Sequence, residues 1–356
     1  MPAPISPLPC DCLATSPPAW NESGGLWVWG STAHAQRVLN RVAPGPQQGG
    51  GDARHFPASA HSELRALVDL AGPSAQAELL ATPALPSGQP DPWAVRPLAV
   101  WLNRLETPWY ADALKTLTFD LQPIVALSTG AVTGYEALVR APHRGQRLSA
   151  SELLRAAESH GHLRAFDALA RREAIRQATP QLTQDQQLFI NFAPGVVYNP
   201  DVCLQTTFAA CREAGADFGR LVFEVTESEQ FPDLDMLRRI LTRYRTEGAR
   251  VALDDLGAGH TSLTYLAALR PDIVKLDRDL SANLHGNDPR VDLVAALIRY
   301  AHELEIEVVA EGIETVDVLK LVTALGADYA QGYVLGRPAP EPLPLRAEAA
   351  VLWAST

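Results

Sequence analysis

The sequence predicts an α/β protein, a TIM-like (β/α)8 barrel preceded by a small α+β domain. Three observations carry that prediction. Pro and Gly are dense before residue 110, in "PISPLPCDCLATSPP", "PGPQQGGG" and "PALPSGQPDPW", and prolines then thin out until "GRPAPEPLPL". After that change, apolar strand-like runs alternate with amphipathic helical patterns. The alternation lasts for roughly 240 residues, the size of a (β/α)8 barrel. The 356 residues have room for this barrel and one small companion. The expected division is an N-terminal domain over 1–92, a helical linker over 93–111 and the barrel over 112–356.

In the first domain, "GGLWVWGS" reads as a strand with Leu26, Val28 and Gly30 on one face and Trp27 and Trp29 on the other. "TAHAQRVLNRVA" sets Ala35, Val38, Leu39 and Val42 at helical spacing. "SAHSELRALVDLAG" and "SAQAELLATPAL" read as two further helices. In the barrel, strands are expected in "TFDLQPIVAL", "AVTGYEALVR", "QLFINFAP", "RLVFEVTE", "RVALDDLG", "DIVKLDRDL", "EVVAEGI" and "YAQGYVLGRP". Helical patterns fall between most of them, as in "SASELLRAAESHG", where Ser149 and Glu152 have capping-box spacing, and "DLDMLRRILTRYRTEG".

Bulk properties exclude some functions. The net charge of −11 argues against duplex nucleic-acid binding, which needs a basic surface. Cys10, Cys12, Cys203 and Cys211 make no disulfide framework, and a reducing cytoplasmic setting is expected. The N-terminus has no basic and apolar regions of a signal peptide, and no run is long enough to cross a membrane. Cys10 and Cys12 with His34, His55 and His61 lack zinc-site spacing. "GGGDARHF" reads as a glycine-rich loop.

Barrel chemistry sits at the carboxyl ends of the strands. Those ends carry Glu136 and Arg140, Asn191, Glu224 and Glu227, Asp254 and Asp255, Lys275 and Asp277, Glu311 and Glu314, and Gln331. One such residue could be a solvated charge. Five carboxylates, those of Glu136, Glu224, Asp254, Asp255 and Glu311, converging on one mouth would repel one another unless cations sat among them. Hard oxygen ligands suit Mg2+ or Mn2+, and a shared carboxylate suits an ion pair built for displacement at phosphorus. Asp254 and Asp255 are adjacent, so a regular strand would point them to opposite faces. Asp255 is expected where the strand stops and Gly257 turns the chain, which lets both reach one site.

These motifs resemble the EAL domain family of cyclic-di-GMP phosphodiesterases over about residues 112–340. "LQPIV", "YEALVR", "FINFAP", "FEVTES", "LDDLGAGHTSLTYLAALRPDIVKLD", "AEGIET" and "QGYVLGRP" match family motifs in order. The resemblance implies a barrel whose first strand runs antiparallel to the rest. It implies two divalent ions, Mg2+ or Mn2+, the first held by Glu136, Asn191, Glu224 and Asp254. The second would be held by Asp254, Asp255 and Glu311. Lys275 would orient the water that cleaves cyclic-di-GMP to linear pGpG. Gln122, Leu138, Arg140, Asp277 and Gln331 would meet the substrate. Asp277 and Glu314 would support the ligands, and Glu227 would anchor the loop after Asp255. A homodimer through the region from His260 onward and regulation by the N-terminal domain are implied in the same way.

The chain departs from the family at Leu256, Ala258, His260, Leu335 and Gly336, which puts loop packing in question and leaves the ligands and the lysine in place. Two rival readings remain. A receptor that binds cyclic-di-GMP without cleaving it would usually lack a ligand carboxylate or the lysine. An enolase-type Mg2+ barrel would not carry these motifs together.

Overall fold

Apolar periodicity decides where strands and helices form, and it also decides which strand faces turn inward. The computed structural model describes residues 14, 16–20, 22–44, 52–226, 233–257 and 262–354. They fall into two units, one of Thr15–Lys115 with Ser151–Leu163, the other chiefly of Thr116–Ala150 with Arg164–Thr356. Among the described residues, no helix is long and apolar enough to cross a membrane.

The first unit runs β1 (Leu26–Gly30), α1 (Ala33–Val42), β2 (Arg54–Phe56), α2 (His61–Gln76), β3 (Leu79–Pro83), β4 (Arg96–Pro97), α3 (Leu98–Glu106) and α4 (Tyr110–Ala113). Its sheet has the order β2-β1-β3-β4 and is antiparallel at every pairing. Leu26 and Val28 turn into a core with Leu39, Leu64, Leu67, Leu79 and Trp101. Thr32 starts α1 by accepting a hydrogen bond from the Ala35 N–H.

One expectation fails here. "SAQAELLATPAL" is not a helix, because Leu79–Pro83 pairs with β1 along its whole length, Leu26 opposite Pro83 and Gly30 opposite Leu79. Alanine and leucine favour helix only weakly, and a partnered, buried strand position overrides that preference. Helix α5 (Ala150–Ser159) belongs to this unit from Ser151 onward. Asn103 donates to Ser159 Oγ at 2.9 Å, and the Tyr110 hydroxyl lies 3.0 Å from His162 Nδ1. Gly161, at φ +64, makes the turn between these contacts.

The second unit contains β5 (Thr118–Ala126), β6 (Val132–His143), β7 (Gln146–Leu148), α6 (Leu163–Ala178), β8 (Gln187–Phe192), α7 (Pro200–Cys203), α8 (Gln205–Ala214) and β9 (Leu221–Thr226). It continues with α9 (Leu234–Thr246), β10 (Arg250–Leu256), α10 (Ser262–Leu269), β11 (Ile273–Leu276), α11 (Arg278–Ser281), α12 (Arg290–Glu303), β12 (Glu307–Ala310), α13 (Val316–Ala324), β13 (Tyr329–Gln331) and α14 (Ala347–Ala350). The order β5-β13-β12-β11-β10-β9-β8-β6 closes through β5–β6 into an eight-stranded barrel, with β7 appended to β6. β5 is antiparallel to both neighbours, and the remaining barrel pairings are parallel.

An apolar floor fills the barrel. Ile124, Phe189, Val222, Ala252, Ile273 and Val309 pack there with Tyr329 against them. Burying each large member contributes about 1.5–3 kcal/mol. Gly134 completes the layer by having no side chain. A Cβ there would sit 2.8 Å from Gln187 O and 2.9 Å from Phe189 Cε2. Gly134→Val is therefore expected to cost about 1–3 kcal/mol by overpacking. A urea melt checks this, and an unchanged midpoint would contradict the packing argument.

Candidate metal centre

Two residues along each strand from that floor, period-two geometry sets a second interior layer. From Ile124, Gly134, Phe189, Val222, Ala252, Ile273, Val309 and Tyr329 the step leads to Gln122, Glu136, Asn191, Glu224, Asp254, Lys275, Glu311 and Gln331. Seven barrel strands and the residue just past β12, Glu311, thus supply one polar residue each at one level, with the apolar layer below.

Lys275 is the hub of this ring. Its Nζ lies 2.6 Å from Glu311 Oε1, 2.9 Å from Glu224 Oε1, 3.3 Å from Asp254 Oδ1 and 3.5 Å from Glu136 Oε2. Its side chain is 1% exposed. Burial works against an ammonium, but Asp254, Glu136, Glu224 and Glu311 more than reverse it and hold the pKa well above the ordinary value. Glu136 is steadied further: Asn191 Nδ2 donates to its Oε1 at 2.7 Å and Gln331 Nε2 to its Oε2 at 2.8 Å. Burial raises its pKa, yet Lys275 and these two donors bring it below the usual carboxyl value.

The other carboxyls move up. Burial raises Glu224 and Asp254 against the pull of Lys275. Burial raises Glu311 to about 8, also against Lys275, and burial with Asp254 nearby raises Asp255 to about 6. Glu224 is fully buried, and no amide or hydroxyl of the described residues donates to either of its oxygens. The Lys275 ammonium, 2.9 Å from Oε1, is its charge partner. Oxygens of Asp254, Asp255 and Glu311 all lie within 4.8 Å of one another. Hard donors crowded at such spacing, with one buried carboxylate that receives no amide or hydroxyl donor, fit divalent cations. Asp254, Asp255 and Glu311 could hold one ion, and Glu136, Asn191, Glu224 and Asp254 another.

Two expectations about local geometry are corrected. Asp255 does not mark the end of its strand. It lies inside β10 at φ +60, where the register with β11 shifts between Leu253 and Leu256. That bulge breaks the two-residue alternation and brings adjacent aspartates to one site. A short polar residue tolerates this left-handed conformation better than most. Asp277 is not a strand residue, because β11 stops at Leu276. It caps α11, accepting from the Asp279 N–H at 2.7 Å.

The remaining residues are placed as follows. Gln122 Nε2 donates to Gly336 O at 3.5 Å. A Cβ on Gly336 would come within 2.5 Å of Pro123 Cγ, so a larger residue there would have to displace the proline. Leu335 and Leu256 are buried. Leu138 is half-buried between Glu136 and Arg140 in β6. Arg140 Nε pairs with Asp120 Oδ2 at 2.9 Å, and Arg147 reaches Asp120 Oδ1 at 2.7 Å. Glu314 pairs with Arg278 at 2.9 Å. Glu227, Ala258, His260, Cys10 and Cys12 lie outside the described residues. A cavity of about 240 Å3 opens above the ring, lined by Gln122, Glu136, Asp254, Lys275, Glu311 and Gln331 with Arg278, Gly312, Glu314, Gly332 and Tyr333.

Sequence reasoning missed Asp120, Arg278 and Ser281. Ser281 Oγ donates to the carbonyls of Asp277 and Glu311 and so ties α11 to the end of β12. The signal for Ser281 is a serine one helical turn beyond a capping aspartate, which is weak.

A family model for the EAL domain matches residues 109–338. The chain belongs to the EAL domain family. Cyclic di-GMP phosphodiesterase NbdA of Pseudomonas aeruginosa is 31% identical over 228 residues, which are 63% of this chain and 29% of that protein. A standalone EAL protein of Vibrio cholerae in its c-di-GMP-bound form superposes with a TM-score of 0.60 at 31% identity, covering 66% of this chain and 97% of the other. BlrP1 of Klebsiella pneumoniae, in complex with manganese and cyclic di-GMP, gives a TM-score of 0.57 at 32% identity, covering 63% and 56%. The matched part spans 28% to 37% of the length of five curated relatives that this EAL protein matches.

The raised carboxyls give the ring a pH signature. Asp255 and Glu311 keep their protons up to about 6 and about 8, so the folded state binds more protons than the unfolded chain below those values. Stability without divalent ions should therefore fall as pH rises from about 6.5 to about 8.5, above the opposing titration of the buried His160, whose pKa burial pushes down to about 4. Glu136 is shifted down and Lys275 up, so both titrate outside this window. Because a cation replaces the protons, the Tm gain from Mn2+ should grow over the same range. A flat melt series, or a Mn2+ effect largest at the acid end, would contradict this.

Proposed function

We propose that this EAL protein is a metal-dependent phosphodiesterase that hydrolyses cyclic-di-GMP to linear pGpG. The observation that carries the reading is the ring of oxygen donors around Lys275, with four carboxylates at 2.6–3.5 Å from one ammonium. Bound Mg2+ or Mn2+ would supply an acidified water and neutralise charge on the phosphodiester.

The protein's own residues do the rest. Glu136, Asn191, Glu224 and Asp254 would hold one ion, and Asp254, Asp255 and Glu311 the second. Lys275 would donate to the attacked phosphate or the incoming water, stabilising negative charge where it develops. Buried among carboxylates, it stays protonated and acts as a donor rather than a base. The phosphodiester would lie across the cavity above the ring, with Gln122, Leu138 and Gln331 at its sides and Asp277 nearby. Arg140 would leave Asp120 to meet a phosphate oxygen, which a guanidinium suits. Glu314 would hold Arg278 at the rim, and Glu227 would anchor the loop after Asp255.

The N-terminal unit is read as the regulatory part, supported by its own sheet and core. A homodimer through the segment from His260 into α10 is proposed with it, supported by the half-exposed Leu263 on that helix. The cytoplasm is the proposed location.

The test is direct. The 356-residue chain incubated with cyclic-di-GMP and Mn2+ or Mg2+ should yield pGpG. Lys275→Ala should lower turnover at least about 100-fold. Its Mn2+ affinity should not fall, since the variant removes a cation from among the ligands. Unchanged turnover would remove the role of Lys275. Tight cyclic-di-GMP binding without pGpG, at any pH from neutral to alkaline, would leave the receptor reading instead.

A further inference from the structure

Helix α6 buries an ion pair behind the barrel wall. Arg171 and Asp167, one helical turn apart, are 2% and 7% exposed. Such a pair is expensive to desolvate, and well-packed apolar residues of similar volume usually give equal or better stability. Burial indeed pushes the Asp167 carboxyl above its usual range even with Arg171 opposing the shift. Stability alone does not account for placing charges here.

What the pair contacts gives an account. Asp167 accepts a hydrogen bond from the Ala193 N–H at 3.0 Å. Ala193 is the first residue beyond β8, and its amide lies past the last residue of that strand. Asn191 stands two residues before it. The Arg171 guanidinium pairs with the other Asp167 oxygen, lies 4.9 Å from the Phe192 ring and donates to Thr207 on α8 at 3.3 Å. The set extends to the next strand. Phe192 meets Tyr244 edge-on at 5.4 Å, and Tyr244 stacks at 3.8 Å on Phe223, the residue before Glu224.

We propose that Asp167, held by Arg171, is a positioning residue that fixes the end of β8 and so the approach of Asn191 to the metal centre. The proposal rests on the metal-site reading above. It assigns the pair no contact with substrate or ions. Residues behind a metal ligand that orient it typically carry 10–100-fold in affinity.

Three variants test it, with Mn2+ calorimetry and hydrogen exchange at the Ala193 amide as readouts. Asp167→Leu with Arg171→Met removes charge and acceptor while keeping volume. It should melt near the parent, exchange faster at Ala193 and bind Mn2+ about 10- to 100-fold more weakly. Asp167→Asn with Arg171→Met restores a neutral acceptor and should recover most of both losses. Asp167→Glu keeps the ion pair but moves the acceptor, so its Mn2+ affinity should fall too, which decides the matter if the apolar variant does not fold. Parental Mn2+ affinity and parental Ala193 protection in a folded Asp167→Leu, Arg171→Met or Asp167→Glu variant would overturn the proposal. A parent that binds no Mn2+ would remove the metal-site reading, and the positioning claim would then stand or fall on Ala193 exchange alone.

Discussion

Four carboxylates around one buried ammonium form the constraint on which the barrel mouth depends. Glu136, Glu224, Asp254 and Glu311 cannot all be ionised in a low-dielectric interior without a cation among them. Lys275 supplies one positive charge against four negative ones. The remainder is divided between protons, as the raised carboxyls of Glu224, Asp254 and Glu311 indicate, and whatever cations the site takes up. The centre is therefore under charge stress by construction, and that stress can be exchanged for ion binding.

The layers beneath and behind the ring keep that stress local. The floor of Ile124, Phe189, Val222, Ala252, Ile273 and Val309 provides a dry wall on one side. Polar donors aim at chosen atoms: Asn191 and Gln331 take one oxygen each of Glu136, while Glu224 has no such amide donor. The difference separates a carboxylate held in place from one that can respond to an ion. Backbone conformation brings in one more carboxylate, since the bulge at Asp255 lets a strand turn two consecutive aspartates toward one site.

Much of this was legible in the sequence because two-residue periodicity is a strong signal. Seven strand-like runs with a polar residue toward the carboxyl end are enough to collect Glu136, Asn191, Glu224, Asp254, Lys275, Glu311 and Gln331, whereas Gln122, in the middle of β5, comes from the family resemblance alone. What escaped depended on partners distant in sequence. Leu79–Pro83 reads as helix until β1 lies alongside it. The bulge at Asp255 depends on the register with β11, which local sequence does not encode. Asp167 and Arg171 have the spacing of an ordinary exposed helical ion pair, and only burial against Phe192 and Thr207 changes their meaning. Asp277 looked like the next residue of a strand, yet its side chain starts a helix, as aspartate does readily.

The most direct test of the account is where Mn2+ settles. Crystals of the full chain grown with Mn2+ and measured at the manganese absorption edge should show two anomalous peaks inside the ring. One should lie among Glu136, Asn191, Glu224 and Asp254, and the other among Asp254, Asp255 and Glu311, with the Lys275 ammonium drawn away from at least some of its four carboxylates. A ring with no peak, and Lys275 still bound to all four carboxylates, would contradict it.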